Sequence, residues 1–373
     1  MKTYGLSWIA LFLTSCLAHS VNLNSGQTPT GLSTPKIDTH SHVYPDFYRD
    51  AVIAAGQVPG PDGNAAPPSW NISMHLAFMA SNNIEKSFIS VSSPGTNLYP
   101  NNLSANLQLT QRMNNFTADL KRQYPDKFGF FASLPLLSIN ETLAEIDRAL
   151  DVLNADGFVF LSNAFGLYGG DPALKPVYEK LDARKAVIFI HPTAPCPKNA
   201  PAAITGTARL DYVAPLMYAY QAPMLEFIFD TTRTVVDLIL TGTAQTYSNV
   251  KWIVPHCGSV IPAVLDRCVS ITSLLGAKVG SNRPAVPYTF ANATALLQRQ
   301  FWFDLAGFPM TSQIFSMHRM FGPDKFLYGS DVPFTAPAGA KGLIGVLNAT
   351  LPNIFNDTEI AQMFKGNADE LLA

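Results

Sequence analysis

Short strand-like runs alternate with segments of helical periodicity along most of the chain. The apolar runs predict eight strands, over residues 36–42, 86–91, 129–134, 157–161, 186–190, 251–255, 301–305 and 325–329. Between the strands, apolar positions three or four residues apart predict helices. The clearest of these cover residues 141–153, 224–240, 311–321 and 357–372.

This alternation is the pattern of a parallel α/β fold, and eight strands with intervening helices predict a (β/α)8 TIM-type barrel. Residues 36–373 are expected to form the barrel as a single domain, because the sequence contains no internal repeat and no second-domain linker. Segments 57–69 and 192–222 are predicted loops after strands one and five. In such barrels these loops lie on the face that carries the active site.

Side chains that can bind a metal recur at the carboxyl ends of the strands. The first strand ends Asp38-Thr39-His40-Ser41-His42. Residues two apart in a strand point to the same side, so His40 and His42 direct two imidazoles at one point. Three further candidates stand at the ends of strands five, six and eight: His191, His256 and Asp331. All five lie on the face where barrels carry chemistry.

These groups predict a site for one divalent metal ion, held by His40, His42, His191 and Asp331. Three imidazoles with one carboxylate favour Zn²⁺, and Mn²⁺ also fits a mixed nitrogen and oxygen shell. His256 could be a further ligand. The role of general acid/base beside the ion is preferred, because four ligands already approach a full shell.

Each candidate also has a structural alternative. His191 could cap its strand before Pro192, and Asp331 could cap a turn before Pro333. Strand four ends Phe160-Leu161-Ser162-Asn163, which offers neither a lysine nor an acid to bridge a second ion. The sequence therefore favours a site with a single metal ion.

Composition narrows the class of partner. The chain has 373 residues, of which 47% are hydrophobic and 14% are charged, which is ample for one large core. The net charge is -2, and no dense block of lysine and arginine occurs. A nucleic-acid partner is therefore not expected, and a small molecule is the predicted partner.

The N-terminus has the layout of a secretory signal peptide covering residues 1–18 or 1–20. Lys2 supplies a positive charge, and residues 6–17 are mostly apolar. An uncleaved membrane anchor is the alternative, but the run is short for a bilayer. With this signal, seven sequons predict a secreted glycoprotein that has no membrane attachment after cleavage. Their asparagines are Asn71, Asn102, Asn115, Asn140, Asn292, Asn348 and Asn356.

An ordered set of motifs makes the chain resemble a known family. After the Asp-x-His-x-His opening come Gly157-Phe158, Pro176-Val177-Tyr178, His191-Pro192, Pro255-His256 and Gly329-Ser330-Asp331-Val332-Pro333. In this order they resemble the amidohydrolase-related metal-dependent decarboxylases, which include aminocarboxymuconate-semialdehyde decarboxylase and the salicylate- and resorcylate-type enzymes. The likeness runs from about Ile37 to the C-terminus and is greatest to fungal 6-methylsalicylate decarboxylases. One departure is Cys257, which stands where many relatives have glycine.

The resemblance implies a carboxy-lyase of secondary metabolism. Such an enzyme converts an ortho-hydroxy aromatic acid, such as 6-methylsalicylate, to CO2 and a phenol such as m-cresol. It implies His256 and Asp331 as catalytic residues, and Arg267, eleven residues after His256, as the group that binds the substrate carboxylate. In several relatives this arginine reaches across a dimer interface, which implies a homodimer. A solvated helix arginine is the alternative for Arg267.

Two other functions remain open on the residues themselves. A metal-dependent hydrolase, such as a lactonase or an amidase, would use the same ligands to activate water. A non-catalytic secreted glycoprotein could keep a barrel for binding, although such a protein has no need of five converging metal-binding and acid/base groups.

Overall fold

Eight parallel strands form the centre of the molecule. The computed structural model describes residues 30–57, 68–196, 222–275, 278–279, 283–284, 287–335 and 337–373. The strands, β1 to β8, pair in the order in which they occur in the chain. They are Lys36–His42, Ile84–Ser90, Phe128–Ser133, Gly157–Leu161, Val187–His191, Lys251–Val254, Phe301–Asp304 and Phe326–Leu327. Every strand predicted from the sequence is present, and the (β/α)8 barrel is confirmed.

Helices connect successive strands. The longer ones are Asp46–Ala54, Ile72–Ser81, Leu103–Gln123, Ile139–Asp151, Lys175–Ala183, Glu226–Leu240, Ile261–Leu275, Phe290–Gln300, Gln313–His318 and Pro337–Thr350. Three of the four predicted helices are found with their ends shifted by at most three residues. The fourth, predicted over 357–372, consists of Asp357–Ala361, a π-helical turn at Gln362–Gly366, and Asn367–Leu371.

Short elements complete the described chain. A single helical turn occurs at Thr243–Thr246, and a turn with left-handed backbone angles occurs at Pro255–Gly258. The 3-10 turns are Thr30–Ser33, Pro172–Leu174, Ala222–Met224, Pro323–Lys325 and Leu351–Asn353. Two short antiparallel sheets are also present. One pairs Asn163–Ala164 with Leu167–Tyr168, and the other pairs Lys278–Val279 with Arg283–Pro284. The predicted signal peptide and most of the two predicted loops, 57–69 and 192–222, lie outside the described residues. Within the described residues, no helix is both long enough and apolar enough to cross a membrane.

Aromatic rings fill the interior of the barrel. The strands are apolar along most of their length because both of their faces are buried. Inside the barrel the rings of Phe88 and Phe131 stack with centroids 5.6 Å apart, and Phe131 lies 5.6 Å from Phe189. Phe189 in turn lies 4.9 Å from the ring of His40. The predicted metal-binding histidines therefore rest on an apolar floor that excludes water from below.

The barrel closes between β8 and β1. The amide of His42 donates a hydrogen bond to the carbonyl oxygen of Val332 at 2.8 Å. The buried carboxylate of Asp38 accepts hydrogen bonds from the amide of Ser330 at 3.0 Å and from its hydroxyl at 2.6 Å. As a result, the end of the first strand and the segment after the last strand are fixed to each other.

Gly157 of β4 is packed too closely for any side chain. A Cβ atom at this position would lie 2.5 Å from the carbonyl oxygen of Val187 and 3.1 Å from the ring of Phe131. We expect Gly157→Ala to lower the free energy of unfolding by about 1–3 kcal/mol, because the added methyl group overpacks the contact between β4 and β5. Urea unfolding followed by circular dichroism measures the change.

Gly342→Ala is the matched control. Gly342 lies in the helix Pro337–Thr350, and a Cβ atom there would meet no atom within 4 Å. Alanine should therefore be neutral or stabilising by up to about 1 kcal/mol. Equal stability of the two variants would contradict the close packing at β4.

Candidate metal centre

Four side chains converge at the carboxyl end of the barrel. One ligand atom from each of His40, His42, His191 and Asp331 lies within 4.8 Å of the others. The three histidines are buried, and they come from the ends of β1 and β5. Asp331 follows β8, so the parallel topology explains why these distant residues meet. The structure thus brings together the four residues that the sequence predicts as metal ligands.

The nitrogen atoms that face this cluster fit a metal ion. Nε2 of His40 and Nε2 of His42 lie 3.4 Å and 3.3 Å from Oδ1 of Asp331. Neither nitrogen has a hydrogen-bond partner among the described residues, although both are buried. Two ligand atoms that each lie about 2.1 Å from a tetrahedral zinc ion are roughly 3.4 Å apart. Buried nitrogens at this spacing therefore suit one divalent ion.

The second ring nitrogen of each imidazole, Nδ1, is held by an oxygen atom of the protein. Nδ1 of His40, His42 and His191 each contacts an oxygen atom. In that order, the partners are Oδ2 of Asp304 at 2.9 Å, the hydroxyl of Ser90 at 3.2 Å and the carbonyl oxygen of Pro192 at 2.8 Å. A proton on Nδ1 leaves Nε2 free to bind a metal and fixes the direction of the ring.

Asp304, at the end of β7, is a site residue that the sequence reasoning missed. Its carboxylate is fully buried. Oδ2 contacts His40, while Oδ1 accepts hydrogen bonds from the backbone amides of His256 at 3.1 Å and Ala306 at 3.0 Å. One carboxylate thereby orients a candidate ligand and the candidate acid/base. The available signal was a lone acid at the carboxyl end of an apolar barrel strand.

His256 lies in a left-handed backbone turn after β6. The φ angles of His256, Cys257, Gly258 and Ser259 are 54°, 50°, 74° and 55°, in the region that favours glycine. The side-chain amide of Gln313 donates to the carbonyl oxygens of His256 and Ser259, both at 2.6 Å, which holds the turn. A glycine in place of Cys257 would adopt this conformation without strain.

The imidazole of His256 stands beside the four-residue cluster. Its Nε2 lies 4.0 Å from Oδ2 of Asp331, and its ring lies 5.2 Å from the ring of His40. The side chains of His256 and Asp331 are 18% and 20% exposed, whereas the side chain of His40 is fully buried. A partly exposed position at the mouth suits a group that exchanges protons with substrate and water.

The neighbouring charges shift the pKa values of the cluster. Burial lowers the pKa of His40, but the carboxylates of Asp304 and Asp331 outweigh burial and raise it to about 10. Burial raises the pKa of Asp331, but the charge of His40 outweighs it and holds that pKa well below its usual range. Burial lowers the pKa of His42 and holds that of His191 well below 6.5. In the absence of a metal ion, His40 is therefore an imidazolium and Asp331 is an ionised carboxylate at pH 7.

A cleft lies at the carboxyl ends of β2 to β5, and none of the four candidate ligands is among the described residues that line it. Leu161, which pairs with His191 between β4 and β5, and Thr193 both line it. Its walls also come from the segments after β2 and β3, and among the described residues that line it none carries a charge. The cleft is therefore suited to an uncharged small molecule or an uncharged part of one.

Arg267 is not part of this arrangement within one chain. It lies exposed on the helix Ile261–Leu275 and makes no ion pair with any described residue. A second arginine, Arg233, pairs with the buried carboxylate of Asp230 at 3.2 Å. The single chain therefore brings neither arginine to the four candidate ligands.

Comparison with known proteins gives one family for almost the whole described chain. Residues 37–373 match the description Amidohydrolase. The chain belongs to the amidohydrolase family. This amidohydrolase is 30% identical to the decarboxylase macB of Penicillium terrestre, over 90% of this chain and 94% of that protein. It is also 30% identical to the 6-methylsalicylic acid decarboxylase acuB of Aspergillus aculeatus, over 82% and 86% of the two chains. The resemblance inferred from the motifs is confirmed.

A solved structure shares the fold of this amidohydrolase at lower identity. The dihydroxybenzoic acid decarboxylase of a Polaromonas species, solved with bound manganese and the inhibitor 2-nitroresorcinol, is 20% identical. The two folds superpose with a TM-score of 0.69, over 91% of this chain and 97% of the other. The barrel is thus shared well beyond the range in which the sequences remain similar.

We expect Asp304→Asn to weaken metal binding by this amidohydrolase about 10- to 100-fold, because His40 loses the carboxylate that orients it. Competition with a fluorescent chelator measures the dissociation constant. Asp324→Asn, which alters an exposed carboxylate outside the centre, is the matched control and should bind as the unmodified protein does. Unchanged affinity in Asp304→Asn would exclude the orienting role.

Metal binding at neutral pH should release about one proton, because His40 must give up the proton that its raised pKa retains. The apparent affinity should therefore rise with pH, by about tenfold per unit, up to the pKa of His40. Isothermal titration calorimetry in two buffers of different ionisation enthalpy counts the protons released. Binding at pH 7 without proton release would contradict the assignment of the charge to His40.

Proposed function

We propose that the chain is a metal-dependent carboxy-lyase that removes CO2 from an ortho-hydroxy aromatic acid of the 6-methylsalicylate type. The observation that carries this proposal is the convergence of four candidate metal ligands at the carboxyl end of the barrel, with His256 beside them. The names of the relatives, a decarboxylase and a 6-methylsalicylic acid decarboxylase, support this reaction class over hydrolysis. A place in secondary metabolism is part of the same proposal.

His40, His42, His191 and Asp331 would hold the divalent ion. When bound, the ion would supply Lewis acidity toward the oxygens of the substrate's carboxylate and ortho hydroxyl groups. Three imidazoles and one carboxylate favour Zn²⁺, while the Polaromonas enzyme carries manganese. Elemental analysis of the purified protein distinguishes the two, and we expect zinc.

Asp331 and His256 are proposed to supply the proton that replaces CO2. Direct loss of CO2 would leave an electron pair on a ring carbon, and protonation of that carbon beforehand avoids this carbanion. His256 Nε2 lies 4.0 Å from Asp331 Oδ2, beyond hydrogen-bond distance, so a proton would pass between them through one water molecule or after a side-chain movement of about 1 Å. After the proton reaches the carbon, the bond to the carboxylate breaks, its electrons return to the ring, and CO2 leaves. Water then restores the proton.

Arg267 is proposed to bind the substrate carboxylate of a neighbouring subunit in a homodimer. Its exposure and its lack of an ion pair within the described chain are consistent with a partner supplied by a second copy. A guanidinium group holds a carboxylate through two parallel hydrogen bonds. Light scattering should give the mass of a dimer, and Arg267→Met should raise KM while leaving the dimer intact.

Entry into the secretory pathway is proposed on the N-terminal segment and the sequons. Six of the seven sequon asparagines are exposed, namely Asn71, Asn102, Asn115, Asn140, Asn292 and Asn356. N-terminal sequencing of the mature protein and a mass shift on treatment with an N-glycosidase test this proposal. A mature chain that retains Met1 and shows no shift would rule it out.

We expect Asp331→Asn to lower the rate of CO2 release about 10²- to 10⁴-fold, because the carboxamide cannot deliver a proton. The three histidines should still retain one ion per chain. Headspace CO2 from 6-methylsalicylate and metal analysis of the same sample measure the two effects. Full activity in this variant would eliminate the proton-delivery role. Hydrolysis of aromatic lactones without CO2 release by the unmodified enzyme would favour a hydrolase instead.

A further inference from the structure

The side chain of Ser92 faces the metal-binding cluster. Ser92 stands two residues after the end of β2 and is 3% exposed. Its Oγ lies 3.5 Å from Nε2 of His191, and within the described chain the hydroxyl has no other hydrogen-bonding contact. That distance is at the outer limit for a hydrogen bond. The hydroxyl is therefore buried, directed at a candidate metal ligand, and only weakly held.

Metal binding at the cluster would remove this one contact. Nδ1 of His191 lies 2.8 Å from the carbonyl oxygen of Pro192, so the proton of the neutral ring is on Nδ1 and the lone pair is on Nε2. The hydroxyl of Ser92 donates to that lone pair, and a metal ion needs the same lone pair. With the ion bound, the hydroxyl becomes a buried donor without an acceptor, which is unfavourable unless a ligand supplies one.

The other serines of this segment are already matched. The hydroxyl of Ser90 lies 3.2 Å from Nδ1 of His42, the ring nitrogen that faces away from the cluster. The hydroxyls of Ser93 and Thr193 lie 2.7 Å apart. The backbone at Ser92 is itself held, because its carbonyl oxygen accepts a hydrogen bond from the amide of Gly95 at 2.8 Å. The unmet donor is thus confined to Ser92 among the three serines.

The position of this donor limits what can accept from it. A divalent ion at the cluster would place positive charge beside the hydroxyl, which favours an anionic ligand there. Carboxylate and phenolate oxygens accept hydrogen bonds and carry the required charge. An ammonium group offers no acceptor and would be repelled by the ion. The ligand that satisfies Ser92 is therefore an oxygen anion.

We infer that Ser92 binds the substrate, by donating a hydrogen bond to an oxygen atom of its carboxylate or its ortho hydroxyl group. The inference rests on the proposed function, which brings those two oxygens to the metal-binding cluster. Ser92 supplies this donor from within a single chain, whereas Arg267 requires a second copy. Its contact with His191 in the absence of a ligand keeps the hydroxyl aimed at the place that the substrate oxygen takes.

The test measures binding of salicylate and of the metal ion by the Ser92→Ala variant. Isothermal titration calorimetry with the zinc-loaded protein gives the dissociation constant of salicylate. We expect it to rise about 10- to 100-fold, the effect of one hydrogen bond to a charged group. Competition with a fluorescent chelator gives the metal affinity of the apoprotein. That affinity should change by less than about threefold, because a hydroxyl that only approaches Nε2 is not a ligand.

Ser93→Ala is the matched control. It removes a neighbouring hydroxyl that is already paired with Thr193, so salicylate and the metal ion should bind to it as they do to the unmodified protein. With 6-methylsalicylate, kcat/KM of Ser92→Ala should fall by the same factor as the affinity for salicylate, whereas kcat/KM of Ser93→Ala should not.

The outcomes separate this inference from the proposed function. If the unmodified enzyme releases no CO2 from 6-methylsalicylate or salicylate, the proposed function fails. If CO2 is released and Ser92→Ala binds salicylate as tightly as the unmodified enzyme, the inference is overturned and the decarboxylase assignment stands. A loss of metal affinity as large as the loss of salicylate affinity would show that Ser92 only supports His191, and would also overturn it.

Discussion

The buried carboxylate of Asp304 holds together the two halves of the candidate site. An ionised group in the interior is costly unless it is paired and hydrogen-bonded, and this one contacts an imidazole and two backbone amides. The imidazole belongs to His40, and one amide belongs to His256. The direction of a candidate ligand and the position of the candidate acid/base are therefore set by the same group, and neither can shift without the other.

The turn that carries His256 shows a second way in which the fold serves the site. Three residues other than glycine adopt positive φ angles there, at a cost of about 1–3 kcal/mol each. The amide of Gln313 offsets part of this cost by binding the carbonyl oxygens that the turn exposes. Strain that persists because its surroundings hold it in place is characteristic of functional sites.

The barrel and the candidate ligands were predictable because each depends on a local pattern. Apolar runs identified all eight strands, and the two-residue spacing of His40 and His42 put both imidazoles on one side of β1. Asp304 escaped detection because a single acid at a strand end gives the same local signal as a simple strand terminus. Gln313 escaped because its contacts join segments 57 and 54 residues apart. The predicted role of Arg267 stays a prediction, because the side chain is exposed in the single chain.

The closure of the barrel has a consequence for the order of events during synthesis. His40 and His42 belong to the first strand, while Asp331 follows the last one, and the contact of Asp38 with Ser330 joins these two ends. A nascent chain on the ribosome therefore carries two imidazoles from the outset but lacks the carboxylate until nearly nine-tenths of its length has been made. Capture of the ion with its full set of protein donors must follow translation of the final strand, so a prematurely terminated chain cannot be a partly active enzyme.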